Sequence, residues 1–369
     1  MSNLHYIIPI FVPHEGCPHE CVFCNQDSIT GTKSKVDAMY VEKTINEYLE
    51  TIKNDDAIIE VSFFGGTFTA IKIEKQIELL TVAKKFKDNN KIKYIRLSTR
   101  PDYIDDNILK NLKKYSVDII ELGVQSMDEE VLLKSGRGHT ASDVEYASKL
   151  IRRYGFILGH QIMIGLPGDN ITKDIETTKR VIALKPDICR IYPALVIKNT
   201  QMERMYIEHK FKPYSLSEAV NISKIIYIML TQNQINVIRI GLQPTSEISE
   251  GHDLVAGPFH PAFRELVEGS IYSDLIYDVI MNSFNKEIIY DRALVKINPK
   301  DISKLYANGK IYFNELKNRL KTISIDVSQD ITVKRGSLNI KIKEQCIIMT
   351  IYEYVSIKYK KNSDLVYKI

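Results

Sequence analysis

The chain has 369 residues, 44% of them hydrophobic and 26% charged, with a formal net charge of +4. That composition excludes a disordered or collagen-like polymer, and the length leaves room for one large α/β domain and a smaller one. No apolar run approaches the roughly 18 residues of a membrane span. The start Met1-Ser-Asn-Leu-His-Tyr6 lacks a basic segment followed by an apolar core, so a soluble cytoplasmic protein is expected.

Apolar runs at 6–12, 58–64, 92–98, 117–123, 156–164 and 188–193 read as strands, with helical patterns between them at 40–53, 72–87, 104–114, 142–153 and 172–184. Such alternation belongs to a parallel sheet wrapped by helices, either a partial or full barrel or an open doubly wound sheet. A helix at 215–230 and a strand at 236–240 follow. Next comes a loop dense in Gly, Pro and His at 241–261, and a helix from 262. Short β-rich runs then occupy 322–327, 331–334, 338–343 and 346–359, with Arg335-Gly336-Ser337 as a hairpin turn. This change of character places a domain boundary near 285, dividing the chain into a core of 1–285 and a small α+β domain of 286–369.

Charge is uneven along the chain. Residues 296–369 hold 15 Lys and Arg against 7 Asp and Glu, leaving 35 against 39 in the rest. Alternation would put Ile331, Val333, Leu338, Ile340 and Ile342 on one face of the hairpin and Thr332, Lys334, Asn339, Lys341 and Lys343 on the other, with Tyr352, Tyr354 and Tyr359 nearby for stacking. A polyanion-binding surface and a solvated Lys-rich face both fit this pattern.

Five cysteines, an odd number, do not suggest a disulfide framework. Cys189 and Cys346 lie in apolar runs and are expected in the core. Cys17, Cys21 and Cys24 form C-x3-C-x2-C directly after the first strand. Three thiolates on one loop can hold three irons of a [4Fe-4S] cube and leave the fourth open to a small molecule. A Cys3His zinc site with His14 or His19, or a Cys21–Cys24 dithiol, also satisfies the spacing. After the second strand comes Phe64-Gly65-Gly66-Thr67-Phe68, where two glycines let backbone carbonyls approach a ligand.

In this order the motifs resemble the radical S-adenosylmethionine (radical SAM) enzymes. The resemblance covers roughly residues 5 to 270. Further along, Ser98-Thr-Arg-Pro-Asp102, Glu121-Leu-Gly-Val-Gln-Ser126, Gly136-Arg-Gly-His-Thr140 and Ile191-Tyr-Pro-Ala-Leu-Val-Ile197 are similar to the radical SAM half of the Elongator catalytic subunit. They are more distantly similar to the oxygen-independent coproporphyrinogen oxidases. The resemblance implies a partial (β/α)6 barrel, a [4Fe-4S] cluster, S-adenosylmethionine and an external one-electron donor. It also implies reductive cleavage of S-adenosylmethionine to a 5′-deoxyadenosyl radical, with tRNA as the leading substrate.

Residue by residue, the resemblance implies Cys17, Cys21 and Cys24 as cluster ligands and Phe23 between the last two, beside the adenine. Gly65, Gly66 and Thr67 would meet the methionine end, and Gln125 and Arg137 are polar contacts, Arg137 pairing the methionine carboxylate. Pro193 and Ala194 would line the adenine. Phe11, Ser98 and Gln161 stand where the porphyrinogen relatives carry a Tyr, a Glu and an acidic residue, so those contacts are altered. Arg239, Gln243, His252 and His260 are candidates for a substrate mouth. Outside that set, His139 could anchor a turn, and His160 reads equally as a core or a functional histidine.

The pattern departs from the Elongator subunit in its compact cysteine spacing. No Gly-rich pyrophosphate loop for coenzyme A is visible after residue 285, so acetyl transfer is not expected. A non-catalytic iron–sulfur or zinc protein that binds RNA is the alternative reading.

Overall fold

The computed structural model describes residues 4–12, 17, 21–25, 36–54, 56–242, 252–282 and 291–361. Gln243, His14 and His19 lie outside the described residues, as does position 285, and Tyr359 falls outside the described side chains.

Six strands run parallel, each paired with the next in chain order: β1 (His5–Val12), β2 (Ile58–Gly65), β3 (Tyr94–Thr99), β4 (Ile119–Gln125), β5 (Ile157–Ile164) and β6 (Ile188–Pro193). Between them lie α1 (Ala38–Thr51), α2 (Ile73–Asp88), α3 (Asp106–Lys114), α4 (Glu129–Lys134), α5 (Ala141–Arg153) and α6 (Ile171–Leu184). This is the partial barrel of β/α units, with α4 an extra turn of helix that the sequence pattern did not suggest. Helix starts follow local chemistry. Asp37 and Asp105 accept from the first-turn amides of Tyr40 and Ile108, and Thr140 with Asp143 forms a capping box on α5.

Strand alternation sorts the side chains. One set is apolar and fully buried: Val61 and Phe63, Ile95 and Leu97, Ile120 and Leu122, Leu158 and Ile162, Cys189 and Ile191. The other set carries Glu60, Arg96, Glu121, Gln161 and Arg190. A two-residue β7 (Val196–Ile197), followed by the short helix α7 (Gln201–Ile207), pairs antiparallel with β9 (Leu254–Ala256), so the 241–261 segment, expected as loop, contains a strand.

The chain separates into two compact units, 1–215 with 243–259, and 216–242 with 260–369. This differs from the expected division at 285, and packing explains why. In the second unit α8 (Leu216–Gln232) and α9 (Phe263–Asn282) form the core against which the C-terminal residues fold. Lys224 and Arg319 both pair with Asp274 on α9, and Lys304 pairs with Glu268 at 2.7 Å. Gly269 lies so close to the Lys304 carbonyl that no side chain would fit there.

The same unit holds β8 (Asn236–Ile240) and a four-stranded sheet in the order β11–β10–β12–β13. Its strands are β10 (Arg292–Ile297), β11 (Ser324–Gln329), β12 (Ser337–Ile342) and β13 (Gln345–Thr350), accompanied by α10 (Ile302–Leu305), α11 (Ala307–Leu320) and α12 (Ile351–Lys361). The hairpin joins β12 to β13 through Lys343 and Glu344, not through Arg335-Gly336-Ser337. Residues 331–334 are not a strand, because Asp330 accepts from the amide and hydroxyl of Thr332 and turns the chain, leaving Ile331 exposed. Leu338, Ile340 and Ile342 are buried as expected. Cys346 is exposed on β13 and not in the core. Tyr352 and Tyr354 belong to α12; Tyr354 is buried and donates to Asp278 at 2.7 Å, so it is not available for stacking. No helix among the described residues is long and apolar enough to cross a membrane.

Candidate active site

The cysteine segment follows Val12 in the sequence, and neighbouring backbone holds its described residues at several points. Gly65, with φ of +111°, lets β2 pass so close to Val12 that a Cβ would lie 2.6 Å from the Val12 carbonyl oxygen. The Gly66 amide donates to that same oxygen at 3.1 Å. The expected reason for these glycines was approach to a ligand; the structure adds close contact between the ends of β1 and β2. Farther along, Val22 is pinned from both sides, its amide donating to Ser135 O and its carbonyl accepting from the Met202 amide. Asn25 Nδ2 donates to Lys198 O.

Cys21 is buried, Cys17 and Cys24 are half-buried, and Cys17 Sγ lies 3.6 Å from the hydroxyl of buried Thr67. Among the described residues no three Cys, His, Asp or Glu side chains converge closely enough to hold a single metal ion. Phe23 packs on an apolar cluster that includes Val22, Val131, Leu166, Ala194, Val196 and Met202. Phe23 and Ala194 are thus brought together, and Pro193 closes β6 beside Ile164. Phe11 pairs in register with Phe64, their ring centroids 6.1 Å apart.

Across from the loop, Arg137 is buried. Its Nη1 donates toward Cys21 Sγ at 3.3 Å and its Nη2 donates to Gly123 O at 2.6 Å. Gln125 has a left-handed backbone (φ 63°) at a register shift in β4, an uncommon conformation for a residue with a side chain. Four buried polar atoms here have no hydrogen-bond partner among the described residues: Arg100 Nη1, Gln125 Oε1, Arg137 Nε and His139 Nδ1. Each such atom costs about 1–3 kcal/mol when left unpaired, so their gathering at the ends of β3 and β4 fits a polar ligand with both donors and acceptors. Burial, then the Arg137 and Arg100 charges, push His139 down to about 3, so it is neutral at pH 7; its Nε2 meets Val124 O at 3.2 Å. His160 meets Ser148 Oγ at 2.9 Å and is held at about 3 by burial, which makes it a core histidine.

Sequence reasoning missed the polar network inside the barrel. Arg96 donates to Glu60 at 2.8 Å and to Glu121 at 2.6 Å, and Arg190 donates to Glu121 at 3.0 Å. Gln161 Nε2 donates to Glu121 at 2.9 Å and to Ser98 Oγ at 3.2 Å. The carboxylate that Ser98 and Gln161 do not provide is therefore present next to them, on Glu121. Burial alone would raise the Glu121 pKa, but the guanidiniums of Arg190 and Arg96 outweigh it and hold the carboxyl below its usual range. A signal was available: Glu60, Arg96, Glu121 and Arg190 each stand third in an otherwise largely apolar strand.

His252 belongs to the first unit, Arg239 and His260 to the second. His260 Nδ1 accepts from the Ala262 amide at 3.1 Å, a structural role at the approach to α9.

Comparison with known proteins gives a consistent affiliation. A family model described as the Radical SAM superfamily matches residues 11–182, and one described as Radical_SAM C-terminal domain matches 186–273. The chain is 28% identical over 255 residues to a tRNA uridine(34) acetyltransferase of Methanocaldococcus infernus, covering 58% of this chain and 48% of that protein. Human Elongator complex protein 3 is 28% identical over 265 residues, covering 60% and 48%. The solved structure of archaeal Methanocaldococcus infernus Elp3 with an N-terminal deletion aligns at a TM-score of 0.61 with 23% identity, over 79% of this chain and 70% of that one, which supports the fold. The chain spans about half the length of the curated relatives it matches. With its three-cysteine loop after β1, its partial barrel and these matches, the chain belongs to the radical SAM superfamily, whose cofactors are a [4Fe-4S] cluster and S-adenosylmethionine.

Proposed function

We propose that Cys17, Cys21 and Cys24 ligate the cluster, that S-adenosylmethionine binds beside it, and that the protein is a radical SAM enzyme acting on tRNA. The observation that carries this reading is the cysteine loop at the carboxyl end of β1, with Cys17 against Thr67 of the Gly65-Gly66-Thr67 turn. Ligands of β/α folds sit at that end of the strands. Held by Cys17, Cys21 and Cys24, a reduced cluster would supply the single electron that cleaves S-adenosylmethionine into methionine and a 5′-deoxyadenosyl radical.

The chain's own residues do the rest. Gln125, Arg137 and Arg100 offer their unpaired polar atoms to the amino and carboxylate groups of the methionine end. Phe23 and Ala194 present an apolar wall to the adenine. Ser98 and Gln161, oriented by Glu121, offer hydrogen bonds to the ribose. In support of tRNA as substrate, the matched relatives are named tRNA uridine(34) acetyltransferase. The basic C-terminal segment is compatible with such a partner.

The test is anaerobic reconstitution followed by reduction in the presence of S-adenosylmethionine, with and without total tRNA. About four irons per chain, release of 5′-deoxyadenosine and a new modified nucleoside in the tRNA support the proposal. A colourless zinc protein that retains RNA would favour the non-catalytic alternative.

A further inference from the structure

We propose that Arg137 donates a charge-assisted hydrogen bond to the Cys21 sulfur and thereby raises the reduction potential of the cluster. This inference rests on the reading of Cys21 as a cluster ligand.

The geometry is specific. Arg137 lies between Gly136 and Gly138, both in left-handed conformations (φ 62° and 72°), and its amide is anchored on Leu132 O at 3.1 Å. From that turn the guanidinium spans two fixed points, Cys21 Sγ at 3.3 Å and Gly123 O at 2.6 Å. Gly123 leaves room for this, since a Cβ there would lie 3.1 Å from Arg137 Nη2 and crowd the guanidinium. Arg137 is buried, and no carboxylate among the described residues pairs with it. A buried guanidinium calls for an anion, and the group it reaches is the sulfur of Cys21, which is a thiolate when it ligates a cluster.

A reduced cluster carries one more negative charge than an oxidised cluster. A cation hydrogen-bonded to a ligand sulfur therefore stabilises the reduced form more, which raises the potential. Arg137 acts through Cys21 and is a positioning residue in this respect, whatever it contributes to holding the methionine end.

The experiment is a redox titration, followed by electron paramagnetic resonance, of reconstituted wild type, Arg137→Gln and Arg137→Lys without S-adenosylmethionine, with iron measured in each. The glutamine variant should show a more negative midpoint. At a fixed applied potential its reduced-to-oxidised ratio should fall about tenfold, equivalent to about 59 mV for a one-electron couple. Lysine should shift the midpoint the same way by less, since it keeps the charge and loses the planar fork. An unchanged midpoint in whichever variant loads cluster overturns the proposal. Loss of cluster from both variants overturns it too, assigning Arg137 to assembly instead. Absence of cluster from wild type would instead refute the ligand assignment itself.

Discussion

Gly159 on β5 stands opposite Glu121 on β4, and a Cβ at Gly159 would lie 2.7 Å from Glu121 Cγ. The glycine is the space in which a buried carboxylate meets Arg96 and Arg190. Gly159→Ala should therefore destabilise the protein by about 1–3 kcal/mol through overpacking. Urea unfolding of the two proteins checks this, and equal midpoints would show that the strand shifts without cost.

Removing the charge at Glu121 should be more severe. Glu121→Gln leaves Arg96 and Arg190 with one fewer buried anion, an expected loss of about 3–5 kcal/mol near neutral pH. The folded pKa of Glu121 lies below its ordinary value. Its contribution is thus present above the unfolded pKa and is lost as pH falls through the folded pKa. Unfolding curves at about pH 7 and about pH 3 should show the gap between wild type and variant narrowing in acid. A gap of constant size would contradict this reading of the network.

The two cysteines outside the loop should differ in reactivity. Cys189 is fully buried, and burial followed by the nearby Glu121 charge pushes its thiol up to about 12. Cys346 is exposed on β13. Iodoacetamide applied to folded protein should alkylate Cys346 and spare Cys189, with peptide mass spectrometry as the readout. Alkylation of Cys189 at the rate of Cys346 would mean that the sheet opens.

The fold was legible where periodicity carried it. All six parallel strands fall on the expected apolar runs because each contributes a buried apolar face. The C-terminal segment was less legible. Residues 346–359 read as strand from their apolar and aromatic content, but Thr350 and Glu353 form a reciprocal capping pair that starts α12 at Ile351. That Thr-x-x-Glu signal was present and outweighs β-propensity once the helix packs on α9. The charges of Glu60, Arg96, Glu121 and Arg190 were visible one by one. Their joining into a network depends on parallel register, which no single strand encodes. Contact between Arg137 and Cys21 joins positions 116 residues apart and likewise emerges only in three dimensions.

On the less buried face of the C-terminal sheet, Arg292 and Lys296 of β10 lie on the side of Lys341 of β12, paired with Asp326, Asp330 and Glu344 respectively. Changing these three cations to Glu should reduce tRNA retention at low salt and leave 5′-deoxyadenosine formation without substrate unaltered. If each cation meets a phosphate, the slope of log affinity against log salt should flatten by up to about 2 for single-stranded contacts. Identical retention across a salt series would remove this surface from the account.

If Cys17, Cys21 and Cys24 hold the cluster, reductive cleavage of S-adenosylmethionine needs all three. The most direct measurement quantifies iron and 5′-deoxyadenosine together in anaerobically reconstituted wild type, Cys17→Ala, Cys21→Ala, Cys24→Ala and Cys189→Ala. Wild type and Cys189→Ala should hold about four irons and release 5′-deoxyadenosine, while each loop variant loses both. Release of 5′-deoxyadenosine by a loop variant at the wild-type rate, or its absence from cluster-loaded wild type under reduction, would contradict the account.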